Sequence, residues 1–157
     1  MSTGPTEVEV PDLDPIAVVR RYIDAANAGD LEAMAAEIGP GFVHHSGAGD
    51  LDFDGVKGGL RYYRTAFPDL VYDVEEMLVV DGGSAVVARW TIRGTHDGPF
   101  SGSRPTHRTI ASPGLSLHRV VDGRIVEDWE YGDDVAILND LGFRIEPPEL
   151  SEPEAAG

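Results

Sequence analysis

The dipeptide Asp122-Gly123 constrains this chain most, because it joins two long β-type runs, LSLHRVV and RIVEDWEYGD, across a gap that suits a tight hairpin. Both central residues of a two-residue type I′ turn need positive φ, which Asp and Gly tolerate. Such a turn sets Val121 against Arg124, Val120 against Ile125, His118 against Glu127 and Ser116 against Trp129. Successive side chains on a strand alternate between faces, so His118, Glu127, Trp129, Tyr131 and Asp133 share one side of the expected sheet. Leu117, Arg119, Val126, Asp128 and Glu130 fall on the other, more charged side. One residue of slip exchanges the two sets. A face that gathers an imidazole, two acids and an indole is a candidate wall of an active site.

The remainder of the chain supplies a setting for that hairpin. Asp14-Pro15 reads as an N-cap followed by a first-turn proline, and Ile16, Val18, Val19, Tyr22, Ile23 and Ala26 form an apolar stripe ending near Gly29. Asp30 caps a second helix to about Ile38, which Gly39-Pro40-Gly41 breaks. Phe42 to Ser46 reads as a short strand, and about Gly55 to Ala66 as a third helix. From Val71 the pattern turns to β. Val71 to Val80, Ser84 to His96, Thr106 to Arg119 and Arg124 to Asp133 are rich in β-branched and aromatic residues, with Asp-Gly turn signals between them. Val135 to Leu141 reads as a last helix, which Asp134 is better placed to cap than Asp133, leaving Asp133 free. Helices followed by a meander of long strands imply an α+β fold: a cone-shaped α+β barrel whose curved antiparallel sheet wraps N-terminal helices and encloses a pocket.

A chain of 157 residues carries one substantial core. The domain is expected over residues 13–143, flanked by mobile segments at 1–12 and 144–157, where Pro, Glu and small residues leave little apolar area to bury. A net charge of −16 opposes binding to nucleic acid or to an anionic membrane. The absence of cysteine removes disulfides, thiolate metal sites and thiol nucleophiles. The first residues lack the basic and apolar regions of a signal peptide, and no apolar run has the length of a bilayer span, so a cytoplasmic protein is expected. No His-x-x-x-His or Glu-x-x-His pair falls on a predicted helix, and no metal is expected.

The phrases AFPDL (Ala66 to Leu70), ARWTIRGTHDGPFSG (Ala88 to Gly102), RPTHR (Arg104 to Arg108) and HRVVDGRIVEDWEYGDD (His118 to Asp134), followed by LNDLG, together resemble the SnoaL-like polyketide cyclases of the nuclear transport factor two-like superfamily. The resemblance spans roughly residues 14 to 143. It implies an α+β cone, a pocket without cofactor and ring closure of a hydrophobic polyketide by intramolecular aldol chemistry. It also implies an acid/base aspartate just after the Glu-x-Trp strand, which is Asp133 here, and a homodimer joined through the outer face of the sheet. His107 stands where the family's Pro-Thr-Gly-Arg carries glycine.

Asp133 is therefore the leading catalytic candidate, with its pKa expected to rise in an apolar pocket so that it donates to a carbonyl. His118 and His96 are the candidate partners that polarise an enol oxygen; His96 ends a strand whose even positions include Trp90 and Ile92, which gives it an inward face. His44 and His45 are neighbours, so a strand turns one in and one out, and alignment with the family favours His45 as the inward one. Glu127 is suited to orienting His118, Trp129 and Trp90 to forming pocket wall, and the phenols of Tyr22 and Tyr63 to holding a substrate oxygen. An epoxide hydrolase or epoxide-opening cyclase is the alternative, with Asp133 and Glu127 as its two carboxylates, although an Asp-Arg-Asp arrangement is missing. A cycloaddition-type cyclase, or a ligand-binding module without turnover, would need no indispensable residue at all.

Overall fold

A computed structural model describes residues 14–147. The expected mobile segment 1–12 and the part of 144–157 after residue 147 lie outside the described residues. Asp14 caps α1 (Pro15–Ala28), accepting from the Ile16 N–H at 3.1 Å, and Gly29 ends it in the left-handed region. Asp30 and Asp52 cap α2 (Leu31–Ala36) and α3 (Phe53–Ala66) in the same way. Between them lie β1 (Ile38–Ser46) and the three-residue β2 (Gly49–Leu51). The meander follows as β3 (Val71–Val80), β4 (Ala85–Thr95), β5 (Thr109–Val121) and β6 (Arg124–Gly132), and α4 (Asp134–Leu141) closes the described chain.

The six strands lie in the order β2-β1-β6-β5-β4-β3, and every neighbouring pair is antiparallel except β1 with β6. The sheet is therefore mixed, where a wholly antiparallel one was expected, and it is open at β2 and β3 instead of closing as a barrel. Its parallel pair arises because β1 precedes the meander and is met by the last strand running in the same direction. Gly39-Pro40-Gly41, expected as a break, lies inside β1; Gly41 takes a φ of 73°, and the pairing with β6 shifts register between Ile38 and Val43. His107 also lies in the left-handed region, at φ 56°, which gives a conformational reason for the glycine found there in the resembling family.

The core forms where the stripe of α1 (Val18, Val19, Tyr22, Ile23) meets the inward face of β4 (Val86, Ala88, Trp90, Ile92). Phe67 and Leu70 fill the corner where α3 hands over to β3. Trp90 lies flat across Gly114 of β5, with Tyr72 edge-on to it at 5.2 Å between ring centroids. Among the described residues, no helix is long and apolar enough to cross a membrane.

A Cβ added at Gly114 would sit 2.1 Å from the Trp90 ring. Gly114→Ala is expected to cost about 1–3 kcal/mol through overpacking, read as a lower midpoint in thermal or urea denaturation.

Candidate active site

The turn at Asp122-Gly123 takes positive φ at both residues, and Val121 faces Arg124 and Val120 faces Ile125. Beyond that point β6 holds one extra residue, Val126, and the register changes to Arg119 with Glu127, His118 with Asp128, Leu117 with Trp129 and Ser116 with Glu130. The bulge thus corrects the expected hairpin. Asp128 and Glu130 join His118 and Ser116 on the inner face, while Glu127 and Trp129 turn to the outer one.

The inner face encloses a cavity of about 310 Å³ between the sheet, α1, α3 and the start of α4. Its wall is mainly apolar, from Ile23, Leu60, Trp90 and Ile92. The polar groups in this wall include His44, Ser116, His118 and Glu130, with the phenols of Tyr22, Tyr63 and Tyr72. His44 lines the cavity and His45 does not, the reverse of the expected orientation. Phe42, two residues before His44 and buried, marks that parity.

Beneath the polar wall lies Asp128, 1 % exposed. One of its oxygens takes His44 Nδ1 at 2.7 Å, and the other faces His118 Nδ1 at 3.4 Å. His118 Nε2 lies 2.9 Å from Ser116 Oγ, which accepts from Trp90 Nε1–H at 3.1 Å. With Nδ1 committed to Asp128, Nε2 is the His44 nitrogen left to meet a ligand. Glu130 accepts from the Tyr72 hydroxyl at 3.3 Å.

These surroundings separate the proton affinities. Burial pushes the Asp128 carboxyl up, but the hydrogen bonds and charges of His118 and His44 outweigh it and hold Asp128 below its ordinary range. Burial likewise pulls the His44 imidazole down, and the Asp128 hydrogen bond and charge, with Glu130 adding, carry it above its ordinary value. For Glu130 burial dominates, and its carboxyl is raised, with Asp128 reinforcing the shift against His44, His118 and Tyr72. Tyr22 and Tyr72 are pushed well above their ordinary range by burial, and Tyr63 to about 12, so all three remain neutral donors near neutral pH.

The other expected site residues lie elsewhere. Asp133 is the N-cap of α4, accepting from the Ala136 N–H at 2.9 Å, and it does not line the cavity; Asp134, expected to be the cap, is the one at the cavity mouth. His96 is fully buried outside the cavity, where Phe67 and Phe100 pack its ring and its Nδ1 accepts from the Thr106 N–H at 3.2 Å. It anchors the 97–108 loop. On the outer face His45 pairs with Asp50 at 2.7 Å and Glu127 at 3.0 Å and stacks on Trp129, with ring centroids 4.9 Å apart. Arg119 reaches Glu127 at 3.4 Å and covers the indole. Trp129 is thereby accounted for as an outer platform. His118, Trp90, Tyr22 and Tyr63 do line the cavity. Among the described residues, no three His, Asp or Glu side chains are grouped to hold a metal ion.

Residues 16–141, which include every element described above except the first residue of α1, match the SnoaL-like polyketide cyclases. The chain belongs to that family. It is 27% identical over 135 residues to the aklanonic acid methyl ester cyclase AcmA of Streptomyces galilaeus, covering 82% of this chain and 91% of that one. The corresponding cyclase DnrD of Streptomyces peucetius is 28% identical over 141 residues, covering 85% and 94% of the two chains. Among solved structures, IdmH of Streptomyces antibioticus, a proposed polyketide cyclase, superposes with a TM-score of 0.74 at 34% identity over 82% of this chain and 98% of its own. AclR of Streptomyces galilaeus, a proposed hydroxylase, superposes with a TM-score of 0.76 at 27% identity, covering 86% and 85%.

The depressed Asp128 contributes stability above its unfolded pKa of about 4, which is lost as pH falls through the lower folded value. The raised His44 contributes fully below its unfolded value of 6.5, and that contribution is lost as pH rises through the folded one. The loss of melting temperature in Asp128→Asn is therefore expected to be largest between about pH 4 and 6.5 and to narrow on either side. A pH series of thermal melts on both proteins measures it.

Proposed function

We propose that the protein closes a ring in a polyketide-type intermediate by aldol-type acid/base catalysis, using only its own side chains. One observation carries this reading: a single apolar cavity holds an imidazole kept basic by a buried carboxylate, together with a carboxyl whose raised proton affinity favours its acid form. A methylene between two carbonyls is already acidic, so it asks only for a modest base. His44 Nε2 takes that proton, and the enolate carbon attacks a ketone carbon to form the new carbon–carbon bond. Glu130 gives its proton to the alkoxide. Proton return from His44 to Glu130 restores both groups. Each positioned transfer is worth roughly 10² to 10⁴ in rate, and holding the two carbons together in an apolar enclosure adds to it. The curated relatives act on an aklanonic acid methyl ester, and a flat, oxygen-rich, apolar substrate of that general kind suits a wall built from Trp90, Ile92 and three phenols.

The epoxide reading is less favoured, because no arginine lines the cavity to complete an Asp-Arg-Asp set. We also propose a homodimer through the outer sheet face, where Leu115 is left 52% exposed beside its cross-strand partner Tyr131, which also borders the cavity.

With a polyketone substrate, Glu130→Gln and His44→Gln are each expected to lose roughly 10²-fold or more in kcat while still binding substrate. Asp133→Asn, which keeps a capping oxygen, is expected to retain most of the rate and the melting temperature. Ring closure that survives both cavity variants would instead favour templating or binding without catalysis, and collapse in Asp133→Asn would return the acid role to that residue. For the dimer, Leu115→Arg is expected to shift sedimentation from two chains to one.

A further inference from the structure

Ser116 belongs to no catalytic assignment above, yet it sits at the end of a chain of polar contacts whose direction can be derived. An indole N–H only donates, so Ser116 Oγ accepts from Trp90 at 3.1 Å. The same oxygen lies 2.9 Å from His118 Nε2, leaving two polarities for that contact. If a neutral His118 donated from Nε2, its bare Nδ1 lone pair would face the anionic Asp128 oxygen at 3.4 Å, and the Ser116 proton would have no acceptor among its hydrogen bonds. If Ser116 donates instead, Nε2 accepts and Nδ1 carries the proton, 3.4 Å from an Asp128 oxygen and with no other polar partner among the described residues. The second polarity leaves no repulsive pair. It runs by hydrogen bonds from Trp90 to Ser116 to His118, whose Nδ1 then lies 3.4 Å from one Asp128 oxygen while the other Asp128 oxygen receives His44.

We propose that Ser116 is a positioning residue for His44: by donating to His118 Nε2 it fixes that ring's proton on Nδ1 and its orientation beside Asp128, the carboxylate that His44 shares. The proposal rests on the reading of His44 as the base. A doubly protonated His118 would neutralise Asp128 and place a cation beside His44, and both effects weaken the base. The groups that bear on the two imidazoles leave Asp128 as the deciding one. From β6, Asp128 and Glu130 act on both; from α1, Tyr22 meets His118 edge-on and is neutral; on β1, His45 is turned outward and held by Asp50 of β2 and by Glu127. On α3, Asp54 is taken by Lys57, and on α4 Asp134 stands at the cavity mouth beside Tyr63. Serine, histidine and aspartate in this order also make up nucleophilic triads, but the Trp90 N–H donated onto Oγ weakens that oxygen as a nucleophile.

Nitrogen-15 NMR of the imidazoles across pH reads this arrangement without turnover. In the unaltered protein His118 is expected to carry its ring proton on Nδ1, and His44 is expected to titrate above 6.5. In Ser116→Ala, His118 should lose its fixed tautomer and the His44 midpoint should fall by about one pH unit or more. Ser116→Thr, which keeps the hydroxyl, should restore both. An Nε2–H tautomer of His118 in the unaltered protein, which needs no variant to fold, overturns the proposal, and so does a His44 midpoint unmoved in Ser116→Ala. Full activity in His44→Gln would refute the base assignment alone and leave the tautomer result standing.

Discussion

The buried carboxylate of Asp128 is the contact on which the rest of the cavity depends. A charge taken out of water must be compensated, and here two imidazole Nδ1 atoms from different strands provide the compensation. That requirement pulls β1 and β5 onto opposite sides of β6 at one level of the sheet. It also fixes which nitrogen of His44 is left for chemistry. The same negative charge helps to raise Glu130 two residues further along the strand, so one group keeps a neighbouring base basic and a neighbouring carboxyl protonated. Removing it would do more than delete a hydrogen bond, because two histidines would lose their orientation together.

Trp90 sets the depth of the cavity. Its ring lies against Gly114, a position where any side chain would collide with it, and its N–H ends on Ser116. The indole therefore serves the apolar wall and the polar network at once, a combination that Phe or Leu could not supply. On the opposite face of the sheet Trp129 is covered by Arg119 and stacked with His45. The two tryptophans of this chain thus divide the sheet, one facing chemistry and the other facing outward.

Local signals made much of the fold legible in the sequence. Asp14-Pro15, Asp30 and Gly29 bounded the first helices, and the Asp-Gly pairs placed the turns, because caps and turns are short-range choices of φ and hydrogen bonding. The bulge at Val126 had no such signal. Asp128 and Glu130 alternate as regularly as Glu127 and Trp129, so the sequence pattern suits either face, and the extra residue decides between them. Asp133 and Asp134 both resemble a helix cap, and only the three-dimensional course of the chain after Gly132 selects the first. The parallel pairing of β1 with β6 was equally silent, since it joins segments separated by most of the domain. Parity within β1 was readable from Phe42, and it points to His44.

That pairing has a bearing on how the molecule comes into being. His44 and Asp128 are 84 residues apart in sequence, and the whole of β3, β4 and β5 lies between β1 and β6 along the chain. Contacts of such long range are among the last to be rewarded during folding, because closing the loop costs entropy before any bond is gained. A nascent or partly folded chain consequently holds its imidazole apart from the carboxylate that would tune it. The reactive pair therefore needs β6 docked beside β1, so local structure alone does not assemble it.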